Sequence, residues 1–350
     1  MGALANARAS APLYRFMLHI HNGDAAANIA NQSSLPGEHI AWRESLITGP
    51  TPAGLSKSEW RSVRSSHLSE AYGINKKVCE QDLLSQEKIL ASFLEHDGVV
   101  LWFDHDLFCQ LHLIYLLDWF SQRALGKTKL SLICIGEFPG RENFRGLGEL
   151  NPEEMASLFP VRQHVTAAQL ELGAAAWQAY CSANPTDIER VLQTDTSALP
   201  FFDAALRAHL RRFPSTRNGL DQIANLTLQL IHDGLISFSS LFAKVGEMQP
   251  VYGLGDAQFW HALQWMGAGR QPLIEVSGTL DENLFKQTLT RNVVQTARFK
   301  LTPSGEAVLN VEADAVVING VGLWLGGVHL SGTTKHMWRW DEQTETVVHI

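Results

Sequence analysis

Four short polar clusters in this chain could do chemistry: His21, Asn22 and Asp24; Arg43 and Glu44; Asp104, His105 and Asp106; and Glu137. Carboxylates and an imidazole are the groups that move protons near neutral pH, so Asp24, Glu44, Asp104 and His105 are the candidate acids and bases. Arg43 offers a planar, permanently charged donor pair to an anion. His21, Asn22, Gly23 and Glu137 complete the candidate ligand-binding set. The first cluster closes the stretch FMLHIHNGD, residues 16–24, in which an apolar run stops at a glycine turn and an alanine-rich helix follows. Gly23 permits the turn, and Asp24 is expected to cap the helix. A strand running through a glycine turn into a helix exposes backbone donors and a positive dipole end, where anions bind.

Rival readings of these residues are open to weighing. His19 and His21 share one face of their strand and, with Asp24, Asp104 and Asp106, could hold a metal. No familiar ligand spacing accompanies them, so His19 reads as a core residue, the aspartates as caps, and no metal is expected. The Gly-Asp turn is similar to the nucleophile turn of SGNH-type hydrolases, but Ala25 stands where the serine would be. No GxGxxG or P-loop pattern is present, so no cofactor is named. Arg61 and Arg64, in WRSVR on a helix, could join Arg43 in holding an anion; a solvated helix face is the preferred reading.

The elements that would position these clusters alternate in type. Strands are expected at 16–20, 39–42, 99–103 and 129–135, with helices at 25–32, 59–72, 81–94 and 107–120 between them. That order implies a parallel sheet with right-handed crossovers, its continuous apolar strands covered on both faces. All four clusters then fall at the carboxyl edge of one sheet, where ligands of open α/β sheets gather.

Residues 151–215 read as a helical connector. Asn151-Pro152 opens one helix, 167–181 carries a small-residue face (Ala174, Ala175, Ala176, Ala179), and 201–213 ends in Arg207, Arg211 and Arg212. Cations there suit a helix C-terminus. In 216–350, three helices (to 231, 237–245 and 257–266) precede extended stretches at 272–276 and 293–300, the order of a winged helix-turn-helix. The third helix, DAQFWHALQWMGAGR, is poor in base-reading cations, and Lys286, Arg291, Arg298 and Lys300 are sparse, which argues against DNA and for protein contact. The tail is expected to fold as a hairpin around Ser331-Gly332, with Trp324, Trp338 and Trp340 closing a core.

Composition narrows the classes. The 350 residues are 45% hydrophobic and 18% charged, with a formal charge of −8, which suits a globular protein and argues against one built to hold nucleic acid. Cys79, Cys109, Cys134 and Cys181 are widely spaced with no CxxC, so free, mostly buried thiols of a reducing compartment are expected. No run reaches membrane-spanning length, and residues 1–14 lack the apolar core of a signal peptide. A cytoplasmic location and a loose segment over 1–13 are therefore expected.

HNGD, the WRE…GP stretch (Trp42, Arg43, Glu44, Gly49, Pro50), LWFDHDLFCQL, LPFFDAALRAHLRRFPS, GLGDAQFW and LWLGGVHL…WRWD together give a chain that resembles the bacterial family called domain of unknown function eighteen-thirty-five, with its C-terminal companion domain. The resemblance covers residues 16 to about 341. It implies an architecture and no reaction. Ala25 and Glu44 stand where the family pattern has serine and aspartate.

The expectation is an α/β protein: a Rossmann-like parallel sheet of about four strands (14–150), a helical connector (151–215), and a C-terminal winged-helix-like domain with an aromatic β-hairpin tail (216–350). The leading function is binding of a small anionic or nucleotide-like ligand at the sheet edge, with catalysis open. The alternative is a regulatory or adaptor protein contacting another protein or DNA.

Overall fold

In the computed structural model, residues 16–277 and 295–350 are described. The expected loose segment over 1–13, the start of the second extended stretch, and Lys286 and Arg291 lie outside them. The chain forms two compact units, each drawn from separated stretches. Unit 1 holds the described residues up to Arg43 with Ser85–Phe103 and Arg123–Thr166. Unit 2 holds Glu44–Leu84, Asp104–Gln122 and the described residues from Ala167 on.

Unit 1 is built on a five-stranded, mostly parallel sheet of order β2-β1-β3-β4-β5. The strands are β1 (Met17–His21), β2 (Glu38–Ala41), β3 (Gly98–Asp104), β4 (Lys129–Ile135) and β5 (Gln163–His164). About four strands were expected. The fifth is a two-residue antiparallel edge, too short and too polar to leave a signature. Every residue of β1 and β3 is buried, which is why both read as unbroken apolar runs. β1 pairs in parallel with both β2 and β3, so the connections run outward in opposite directions from β1. On one face of this sheet, α1 (Asp24–Asn31) and α5 (Pro152–Ser157) close a core of Met17, Ala26, Ala30, Val100, Trp102, Leu147 and Met155.

Unit 2 is largely helical. Its centre is α4 (Leu107–Ser121), apolar around its whole circumference and buried at ten positions, as a helix packed on all sides must be. α6 (Ala167–Cys181) packs against it, and any side chain at Gly173 would meet Leu117. The expected small-residue face is rotated: Gly173, Ala176 and Ala179 are buried while Ala175 is exposed. Further on come α8 (Phe202–Leu210), α9 (Gln222–His232), α10 (Phe238–Met248) and α11 (Asp256–Gly267), then a two-stranded antiparallel sheet of β6 (Ile274–Ser277) and β7 (Arg298–Leu301). Asp106, Asp221, Ser237 and Thr302 each cap the helix they precede through a side-chain oxygen.

The tail departs from expectation. Two hairpins form: β8 (Val321–Leu325) with β9 (Val328–Gly332), and β10 (Trp338–Asp341) with β11 (Thr346–His349). The first turns at Gly326-Gly327, and Ser331-Gly332 instead ends β9. Gly326 has φ +64°, its carbonyl accepts from the Thr51 N–H at 3.0 Å, and the Gly327 N–H donates to the Tyr180 carbonyl at 2.9 Å. A Cβ on Gly326 would strike that Tyr180 carbonyl. Gly326→Ala is therefore expected to cost at least about 2 kcal/mol, read by urea denaturation; an unchanged midpoint would show that the hairpin does not depend on this approach. Trp340 is buried as expected, whereas Trp324 stacks on His329 at 4.5 Å within its own hairpin.

Candidate functional site

The carboxyl ends of β1 and β2 in unit 1 gather one group of the sequence candidates. The chain leaves β1 at His21, and Gly23, at φ +87°, turns it into α1. Gly23 itself occupies the N-cap position and offers no side-chain oxygen. Asp24, expected to be the cap, is the first helical residue. Its carboxylate is taken by Arg43, whose Nε and Nη2 donate to both of its oxygens at 2.7–3.0 Å. Both side chains are more than half exposed. Arg43 is fixed at the main chain as well: its N–H donates to Gln86 Oε1 at 2.6 Å, and Gln86 Nε2 donates to its carbonyl at 3.2 Å. Glu137, beyond β4, is exposed.

Behind this edge lies a stack of three histidines. Parallel pairing sets His19 beside His39, with ring centroids 4.4 Å apart, and His21 lies 5.2 Å from His39. Hydrogen bonds assign the tautomers. His39 Nε2 faces the Leu35 carbonyl and must carry a proton, so its Nδ1 accepts from His21 Nε2 at 2.9 Å. His19 donates through Nε2 to the Pro36 carbonyl and accepts at Nδ1 from Trp102 Nε1. Every proton in the stack is placed with all three rings neutral. Burial, with the neighbouring His39, pulls His19 down to about 3 and His21 well below the usual imidazole range; burial also lowers His39. His19 thus has the core role expected of it. Its two nitrogens are hydrogen-bonded to Pro36 and Trp102, and Asp24 is engaged by Arg43.

Glu44, Asp104, His105 and Asp106 belong to unit 2, and each carboxylate is occupied there. Glu44 is paired with Arg64 Nη2 at 2.7 Å, with both side chains buried. Burial alone would raise the Glu44 carboxyl; the charge and hydrogen bonds of Arg64 outweigh it and hold Glu44 below its ordinary value. Arg64, expected on a solvated face, is fully buried and also donates to the carbonyls of Ser45, Thr48 and Pro50. The helix that carries it, α2 (Lys57–Tyr72), has a weakly patterned sequence, so local periodicity could not reveal this inward guanidinium. His112 accepts at Nε2 from the Leu46 N–H and is held near 4 by burial.

Asp104, Asp106 and Cys109 bring ligand-type atoms within 4.8 Å of one another. They satisfy one another instead. The Cys109 thiol donates to Asp104 Oδ2 at 3.6 Å, and Asp106 Oδ1 accepts the Cys109 N–H at 2.8 Å as the cap of α4. His105, half-buried, sets its ring edge-on to Phe201 at 5.9 Å.

No protein-family model matches the chain, and no curated protein matches it in sequence. Among the described residues, no helix is long and apolar enough to cross a membrane.

Three residues that matter here were not singled out from sequence: His39, Gln86 and, as a group lining a cavity in unit 2, Arg212. The first two act through strand register and through a contact forty-three residues away, neither of which leaves a local pattern.

Proposed function

We propose that the protein binds a small anionic, nucleotide-like ligand at the carboxyl edge of the unit 1 sheet. The observation that carries the reading is the forked Arg43–Asp24 pair beside an α1 N-terminus that has no side-chain cap. β1, flanked by β2 and β3, is where the connections reverse, the point at which Rossmann-like sheets hold ligands. Asp24 there acts as a resident carboxylate that keeps the guanidinium in place until an anion competes for it. Binding rather than turnover is proposed, because Glu44, Asp104 and Asp106 are spent on structural hydrogen bonds. Membership of the family named above, and a cytoplasmic setting, go with this reading.

The test is a thermal-shift titration with pyrophosphate and nucleoside mono- and diphosphates. An anion at about a hundred times its dissociation constant should add roughly 2.7 kcal/mol of stability to the wild type. Arg43→Ala should abolish the response, and Asp24→Asn, which removes the competing carboxylate, should enlarge it. An Arg43→Ala protein that responds like the wild type would sink the proposal.

An adaptor role is the second reading. α9, α10 and α11 followed by the β6–β7 pair suit a winged-helix-like arrangement, and exposed Ile236 and Met248 give it apolar surface for a protein partner. Lys244 on α10 is paired with Glu247, which suits DNA poorly.

A further inference from the structure

We infer that a cavity within unit 2 is a second binding site, taking a small apolar carboxylate with Arg212 as its anion receptor. The cavity is about 280 Å³ and is lined by Ile223, Trp265 and Leu323 on its apolar side and by Arg212, Gln258 and His261 on its polar side. Small-molecule sites run from roughly 300 to 1,000 Å³, so this one suits a compact ligand.

Arg212 is what selects the ligand's charge. Nη1 of its guanidinium is buried and finds no hydrogen-bond acceptor among the described residues. The neighbouring arginines differ: Arg207 is paired with Asp203 on its own helix, and Arg211 lies 3.7 Å from Glu345. No described carboxylate lies within 4.0 Å of Arg212. The other polar groups of the cavity wall have partners. Asp221 Oδ1 accepts the Ala224 N–H at 2.7 Å and caps α9, the Tyr252 hydroxyl donates to Gln222 at 2.8 Å, and Gln258 Oε1 accepts the Gly255 N–H at 2.9 Å. Burial raises the Asp221 carboxyl, against the Ala224 N–H and the charge of Arg212, which both lower it, so Asp221 faces Arg212 at longer range without forming an ion pair with it. The guanidinium also hydrogen-bonds the Tyr180 hydroxyl, but a buried Nη1 without an acceptor, beside an apolar chamber, fits an anionic head on an apolar body. A role for Arg212 at the end of α8 accounts for its charge but not for an Nη1 turned away from every acceptor.

The proposal is independent of the unit 1 edge, and its test separates the two. Phenylacetate and octanoate are titrated into the full chain alongside their uncharged amides, followed by melting temperature and by tryptophan fluorescence. The carboxylates should bind saturably, and the amides roughly ten- to a hundredfold more weakly, the worth of hydrogen bonds to a charged group. Arg212→Gln should bring the carboxylates down to the level of the amides. Ala262→Leu, which fills the cavity and removes no polar group, should abolish binding of both. Trp265→Phe should remove the fluorescence change without removing the melting shift, and Arg43→Ala should leave both intact. The inference is overturned if no probe binds, if carboxylates and amides bind alike, or if either folded variant, Arg212→Gln or Ala262→Leu, binds the carboxylates as the wild type does.

Discussion

Replacing Arg64 by methionine is expected to cost about 3–5 kcal/mol of folding stability. The side chain is wholly buried, and its removal leaves Glu44 as an uncompensated charge in a site with little solvent. It also strips the carbonyls of Ser45, Thr48 and Pro50 of the donors that fold this loop back upon itself. A buried ion pair can often be exchanged for apolar residues without loss, so the companion experiment is Glu44→Met with Arg64→Met. Here the exchange should recover only part of the loss, since the Thr48 and Pro50 carbonyls lose their Arg64 donor whatever stands at position 44, while the Ser45 carbonyl keeps the Thr48 N–H. Urea denaturation of the two single variants and the double variant measures this. A loss below about 1 kcal/mol for Arg64→Met would mean that the loop finds its hydrogen bonds elsewhere.

The second large effect is with pH. His19 and His21 are buried and neutral, with pKa values pulled far below 6.5. In the unfolded chain both rings take up protons near 6.5. Below that pH the unfolded state therefore binds more protons than the native state, and stability falls as pH falls. The contribution is complete above about 6.5 and is lost progressively below it, toward about 3 for His19. These two groups contribute a slope of roughly 2.7 kcal/mol per pH unit, or about 3–4 kcal/mol between pH 6.5 and 5, to which the other lowered histidines, His39, His67, His112, His209 and His261, add. His21→Gln, which keeps an N–H for His39, should lower the slope by about 1.4 kcal/mol per pH unit, the share of one group. Burial raises the Asp106 and Asp221 carboxyls, which are common to wild type and variant, so the difference between the two proteins at the two pH values isolates the His21 imidazole. An equal slope in wild type and variant would mean that His21 is protonated in the folded state.

Much of the frame of unit 1 was legible from residues 17–21, 98–104 and 129–135, because a strand covered on both faces must be apolar throughout, and turns and caps bracket each run. The cap at Asp106 was legible too, since capping is a matter of neighbouring residues. What the sequence hid was pairing at a distance. Arg64 and Glu44 are twenty positions apart, and nothing in WRSVR says which of its arginines turns inward. Asp24 had the right chemistry for a cap, but Arg43, delivered by the neighbouring strand, competes for its carboxylate. The tail hairpin was misplaced because a Gly-Gly and a Ser-Gly both permit turns; the choice was made by the close approach to Tyr180 and Cys181, from a segment almost 150 residues away.

The interleaving of the two units has a consequence for how this protein can be taken apart. The backbone passes from one to the other after Arg43, Leu84, Phe103, Gln122 and Thr166. No single cut therefore releases an intact half. A fragment ending at Arg43 would hold only part of unit 1, those ending at Leu84, Phe103 or Gln122 would carry pieces of both units and complete neither, and one reaching Thr166 would hold all of unit 1 together with orphaned stretches of the other. Truncation libraries and gene-splitting screens should find this chain nearly all-or-nothing, and unit 2 cannot have been acquired by appending a segment to an already finished neighbour.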